Sequence, residues 1–141
     1  RWPLMGFELR DHTADVAVEA TGETLGAVFA AVADGMAAAM CDAVPDTGGE
    51  RRDVTLSAEG REALLFDYLD ELIYERDVRS VLPVDNEATV DHVDGAWRAE
   101  ASYRGVPLAA VAARDLKAVT YSDMDLSETA AGWHAYVVFD V

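Results

Sequence analysis

Two kinds of hydrophobic periodicity follow one another along this chain. From Asp15 to Ala20 the residues alternate, with Val16, Val18 and Ala20 on one face and Ala17 and Glu19 on the other, which predicts a β-strand. Gly6 to Leu9 is a short extended candidate before it. Thr21-Gly22 turns the chain, and Thr24 stands where a helix N-cap is expected. Leu25, Val28, Phe29, Val32, Met36 and Met40 then recur at helical spacing over roughly four to five turns, with Asp34 off the stripe. The methionines on that stripe read as core filler. Pro45 to Gly49 is a loop rich in turn formers. Val54, Leu56 and Ala58 alternate with Asp53, Thr55 and Ser57 as a further strand, which Gly60 ends. A second helix is expected from about Glu62 to Glu75, with Leu65, Tyr68, Leu69, Leu72 and Ile73 inward.

The rest of the chain reads as β-structure. Val81 to Val93 and Ala96 to Tyr103 flank Asp94-Gly95, a two-residue hairpin signal. Pro83 implies an edge strand or an irregular start, because proline cannot donate to a ladder. Leu108 to Arg114 is alanine-rich and reads equally as a bridging loop or a helical turn. Ala118 to Leu126 and Trp133 to Val141 form a last hairpin around Ala131-Gly132. The order strand, helix, strand, helix, then antiparallel strands predicts an α+β fold, two helices packed on mainly antiparallel sheet, as one domain spanning residues 1–141.

Composition supports that size. A chain of 141 residues can bury about two-thirds of its unfolded surface. Its 51% hydrophobic content is ample for a core, though much of it is alanine. No apolar run approaches the roughly 18 residues of a membrane span, and no secretory pattern opens the sequence. A cytoplasmic, monomeric protein without membrane contact is expected. Cys41 is the one cysteine, so an internal disulfide and a cysteine-rich zinc site are excluded.

Eleven basic against 27 acidic residues give a net charge of −16. Such a surface repels phosphate backbones, which argues against direct RNA or DNA binding. It suits a basic protein partner or a divalent cation. Equally, it is the halophile-like surface that keeps a protein soluble in concentrated salt. Lys117 is the single lysine, so it belongs to no generic basic surface.

Two stretches concentrate candidate chemistry. Asp11-His12-Thr13-Ala14-Asp15 packs two carboxylates, an imidazole and a hydroxyl against the start of a strand, although a solvated turn fits the same residues. In the last strand Trp133, Ala135, Val137, Phe139 and Val141 alternate with His134, Tyr136, Val138 and Asp140. The expected Val141 carboxylate would then lie beside Asp140. If that end adjoins Asp15, three carboxylates converge, and hard oxygen ligands of this kind suit Ca²⁺, Mg²⁺ or Mn²⁺. His12 or His134 could add a nitrogen ligand, or serve only as a hydrogen-bonding neighbour. Asp67 and Glu71, one helical turn apart, are a weaker metal candidate, since solvated acids on a helix face are commoner.

The motifs resemble those of the archease family. They are Asp11-His12-Thr13-Ala14-Asp15 followed by Gly22-Glu23-Thr24-Leu25, the helix Ala63-Leu64-Leu65-Phe66-Asp67-Tyr68-Leu69-Asp70-Glu71-Leu72-Ile73, the segment Leu116-Lys117-Ala118-Val119-Thr120-Tyr121, and the terminal Phe139-Asp140-Val141. They occur in family order over essentially the whole chain. The resemblance implies the archease α+β fold. It also implies a non-catalytic accessory protein of the GTP- and manganese-dependent, RtcB-type RNA ligase that joins tRNA exon halves. Archeases promote formation of the ligase–guanylate intermediate and multiple turnover. The resemblance further places a divalent metal on Asp15 and Asp140, with Val141 as neighbour and Asp11 and His12 close by. The family's functional lysine falls on Lys117.

Three departures accompany the match. Ser122 stands where many relatives carry histidine, the stretch Ala109 to Arg114 is plainer than the family usually shows, and the sequence begins with Arg1, with Met5 as an alternative start. Two other readings use the same residues. One is a chaperone-like partner of another RNA-modifying enzyme, such as a tRNA methyltransferase. The other is a metal-dependent hydrolase, against which stand the lack of a nucleophile–base pair, of a phosphate-cradling glycine loop and of a second metal cluster. An acidic interaction domain without metal is the plainest alternative.

Overall fold

The computed structural model describes residues 6–11 and 15–141. Nine elements follow in order: β1 (Gly6–Asp11), β2 (Asp15–Gly22), α1 (Leu25–Met40), β3 (Glu50–Ala58), α2 (Arg61–Arg79), β4 (Val81–Val93), β5 (Ala96–Pro107), β6 (Ala118–Thr129) and β7 (Gly132–Asp140). A 3-10 turn at Leu108–Ala110 opens the link between β5 and β6, so the ambiguous alanine-rich stretch is a helical turn followed by a loop. The strands form two antiparallel sheets, one ordered β1-β2-β7-β6 and the other β3-β5-β4. The α+β expectation holds, with two sheets where the sequence pattern suggested one.

Both helices lie between the sheets and touch each of them. α1 starts as its sequence predicts: the Thr24 hydroxyl accepts from the Ala27 amide at 3.0 Å, satisfying one of the helix's orphan N–H groups. Its small residues explain the alanine-rich composition. A Cβ at Gly26 would meet the Ala88 carbonyl of β4, and one at Gly35 would meet Val18 and Phe7 of β2 and β1. Close approach on both sides lets one helix seal the outer edge of β4 and cover the first sheet. Phe29, Val32, Met36 and Met40 fill the core with Leu64, Leu65, Tyr68, Leu69 and Leu72 of α2. Each fully buried large side chain contributes about 1.5–3 kcal/mol.

Several elements run longer than periodicity predicts. α2 reaches Arg79, and Ser80 in the left-handed region ends it. β2 continues through Thr21 and Gly22 because they pair with His134 and Trp133 of β7. The Asp94-Gly95 hairpin is confirmed, both residues having positive φ. The last hairpin turns one residue earlier than expected, since Thr129 pairs with Gly132. β4 is an edge strand with a bulge after Val84, in keeping with Pro83. Asp34 of α1 fixes that bulge by accepting from the Asn86 amide (3.0 Å) and side chain (2.9 Å). At one end, the Arg61 guanidinium lies 5.5 Å from the Trp97 ring and 5.1 Å from the Trp133 ring. It thereby clips a hairpin of each sheet to the start of α2.

Candidate functional site

The site is made by register. Asp15 opens β2 directly opposite Asp140, the last residue of β7. Residues so paired project to the same face with Cβ atoms about 4.5–5.5 Å apart. On the far side of β7, Ala118 pairs with Asp140, and the Lys117 amide donates to the Asp140 carbonyl at 2.8 Å. The backbone of Asp11 ends β1 opposite Val16, beside Asp15. Thus Asp15, Lys117 and Asp140 meet at one end of the four-stranded sheet, with the end of β1 next to them. The face is settled by alternation: Val16, Val18, Val137 and Phe139 pack toward the helices, so the two carboxylates lie on the opposite face. Asp140, Val141 and Lys117 are exposed and Asp15 is half-buried.

Lys117 is held there by two arginines. Leu116, fully buried, points into the core. Arg76 donates from Nη1 to the Leu116 carbonyl at 2.6 Å and contacts Met40 Sδ at 3.3 Å. Its Nε pairs with Asp77 at 3.0 Å. Arg114 closes the end of α1: its amide reaches the Met40 carbonyl at 2.6 Å, and its guanidinium the Ala39 carbonyl at 2.9 Å and Asp42 at 2.9 Å. The C-terminal ends of both helices therefore abut the segment preceding Lys117. Their partial negative charge favours cations, here these two guanidiniums. A cavity of about 320 Å³ is lined by Arg76 and Arg114 together with Met40 and Asp115. With both guanidiniums engaged by protein acceptors, it is a structural hollow and not an anion site.

His134 is a correction to the candidate ligand set. It lies six residues before Asp140 on β7, about 20 Å away along the strand. Its Nδ1 is 2.8 Å from Asp125 and its Nε2 2.9 Å from Glu19. Burial opposes the imidazolium, but those two carboxylates outweigh it and raise the pKa above the ordinary histidine value. His12 lies outside the described residues, as does the Asp11 side chain. Among the described residues no three histidine, cysteine, aspartate or glutamate side chains are grouped to hold a metal ion, and Asp67 and Glu71 accordingly lack a third ligand. Asp34 also escaped the periodicity: burial raises its pKa despite the Asn86 bonds.

The family model for the Archease protein family (MTH1598/TM1083) matches residues 7–141. The chain belongs to the archease family. The archease of Methanosarcina mazei is 33% identical over 139 residues, covering 96% of this chain and 95% of that one. The archease of Archaeoglobus fulgidus is 33% identical over 142 residues, covering 97% and 100%. The solution structure of Methanobacterium thermoautotrophicum protein 1598 superposes with a TM-score of 0.84 at 29% identity, covering 96% of this chain and 99% of that one. The crystal structure of a Thermotoga maritima archease, described as a possible chaperone, shares the fold with a TM-score of 0.62 at 19% identity, covering 95% and 96%. The archease fold thus accounts for the placement of three of the motifs: residues 11–15, 116–121 and 139–141, far apart in sequence, reach one end of one sheet.

Of the residues that build this end, sequence reasoning missed Arg76 and Arg114. A signal for Arg76 was present. It falls on the inward stripe of α2, seven residues after Leu69 and four after Leu72, where a charge needs a buried acceptor.

Proposed function

We propose that this archease is a non-catalytic activator of the GTP- and manganese-dependent RNA ligase of tRNA splicing, acting through the end of the sheet that carries Asp15, Asp140 and Lys117. The observation that carries the reading is the backbone tie between Lys117 and Asp140 on a strand end where Asp140 faces Asp15. A lone lysine and two acids, for which no ion pair is found among the described residues, are thereby brought together at the end of the sheet.

The donor set fits a hard divalent cation. Two carboxylates directly opposite each other repel, and Val141 follows Asp140 at the surface. Asp15 and Asp140 would hold such an ion, with Asp11 and His12 as the neighbouring donors in sequence; Ca²⁺, Mg²⁺ and Mn²⁺ all suit oxygen ligands. The ion would supply positive charge and oxygen coordination at the tip. This chain's own residues bind and orient. The paired strands hold the two carboxylates in register, and Arg76, through Leu116, sets the position from which Lys117 reaches a nucleotide phosphate or a carboxylate of the ligase.

The test is single-turnover guanylylation of the cognate ligase with GTP and Mn²⁺. The expected result is acceleration by the wild-type protein and its loss with Asp140→Ala or Asp15→Ala. Normal stimulation by both variants would remove the carboxylate tip from the mechanism. A second reading, a chaperone-like partner of another RNA-modifying enzyme such as a tRNA methyltransferase, draws on the description of the Thermotoga relative as a possible chaperone. Capture of such an enzyme without the ligase favours it.

A further inference from the structure

Three of the large apolar side chains that stand exposed share one surface: Tyr74 at 57%, Val78 at 59% and Tyr121 at 54%. Tyr74 and Val78 are one turn apart on α2 and adjoin on its outward face. Tyr121 of β6 stacks flat on Phe66, ring centroids 4.2 Å apart and planes within 6°. Phe66 lies about two turns before Tyr74 and roughly a quarter-turn round the helix from it, so the stacked pair flanks the Tyr74–Val78 face on its β6 side. Asp67 and Asp70 intervene between the stack and Tyr74. Burial and then the nearby Asp67 disfavour the Tyr121 phenolate.

The guanidiniums of the same helix are taken up elsewhere, Arg79 by Glu75 at 2.8 Å and Arg76 by Asp77 at 3.0 Å, and among the described residues neither engages Asp67 or Asp70. β6 runs alongside α2 from Lys117 onward: Leu116 meets Arg76, and Tyr121 meets Phe66 three turns earlier in the helix. The exposed Tyr121 thus stands four residues along β6 from Lys117, which links the stack to the Lys117 end of the sheet through that strand. A surface shaped only for hydration gains from acids but not from tyrosine and valine. Aromatic rings among carboxylates match one chemistry in particular, the guanidinium, which stacks on the ring and pairs with the acid. Aromatic anchors of this kind concentrate binding energy in protein interfaces.

We infer that the outward face of α2, with Tyr74, Val78 and the Phe66–Tyr121 stack, docks an arginine-bearing face of the partner ligase. This inference rests on the ligase reading above. It divides the labour: the α2 patch sets how tightly the activator binds, and the carboxylate–lysine end sets what it does once bound.

The experiment titrates the full chain into the ligase and reads guanylylation rate against activator concentration, with direct binding measured in parallel. Tyr74→Ala combined with Val78→Ala is expected to raise the half-stimulating concentration about tenfold. The plateau rate and the thermal unfolding midpoint stay unchanged, because both side chains are exposed. Asp70→Lys is expected to slow association and flatten its salt dependence, and it serves independently should the double variant misfold. Wild-type half-stimulation by both variants, or a lowered plateau at unchanged concentration dependence, overturns the docking surface while leaving the ligase reading intact. No stimulation or binding by the wild-type protein overturns the ligase reading and this inference together.

Discussion

Asp15 and Asp140 occupy opposed positions at the end of the β2–β7 pair, two acids on one face with no residue of the ladder between them. Like charges so placed oppose pairing by about 0.2–1 kcal/mol, a cost that a bound cation removes. Replacing either with asparagine should therefore leave the metal-free protein as stable as wild type or slightly more so. With Mn²⁺ or Ca²⁺ at one hundred times its dissociation constant, the wild type should gain about 2.7 kcal/mol, and the variants should gain little. Urea denaturation in chelator and in metal checks both halves. A variant that keeps the full gain would place the ion elsewhere.

Arg76 should matter more than its distance from the surface acids suggests. Arg76→Met keeps much of the side chain's bulk but strands the Leu116 carbonyl, which Arg76 reaches at 2.6 Å. The expected loss is about 1–3 kcal/mol of stability. Amide exchange at Lys117, whose N–H is bonded to Asp140, should accelerate beyond that of the core strands. A double-mutant cycle with Lys117→Ala on ligase stimulation separates positioning from general damage. If Arg76 acts through Lys117, the two losses do not add.

His134 makes stability depend on pH. Its folded pKa is raised above the ordinary value near 6.5 by Glu19 and Asp125, against the pull of burial. Its contribution is thus fully present below the unfolded pKa and is lost as pH rises through the folded one. Glu8 and Tyr136 share that face of the sheet through the same register. Chemical denaturation at intervals from mildly acidic to mildly alkaline pH should show wild type weakening across neutrality. His134→Gln should show a flatter profile over the same window.

Gly26 is where α1 meets the edge of β4. A methyl group there would run into the Ala88 backbone carbonyl, and backbone cannot yield as a side chain can. Gly26→Ala should cost about 1–3 kcal/mol although alanine is the better helix former, measured as a lowered denaturation midpoint. A stabilised variant would mean that α1 and β4 can separate without penalty.

Much of this architecture was legible in the amino-acid order. Thr24 announced the start of α1, Asp94-Gly95 announced a hairpin, and the alternation through Val16 and Val18 assigned the inner face of β2. These features rest on contacts a few residues apart. Element ends were less legible: β2 runs on through Thr21 and Gly22 only because β7 offers them partners. Arg76, Arg114 and Asp34 were misread or passed over for a related reason. Each is a polar group whose acceptors or donors come from another element, so its burial cannot be judged from its own neighbours.

The same division holds for the site. Sequence alone singled out the candidates for chemistry, because Asp15, Lys117 and Asp140 sit in motifs of a recognisable family and Lys117 is the one lysine of a strongly acidic chain. Tertiary structure alone decided their company. A strand register that pairs Asp15 with Asp140 and ties Lys117 to the same residue is a long-range event, fixed by which faces of β2, β7 and β6 must bury against the helices. That event also removed His134 from the set. Periodicity places a side chain on a face, but the distance between two side chains on different strands depends on how the sheets close around the core.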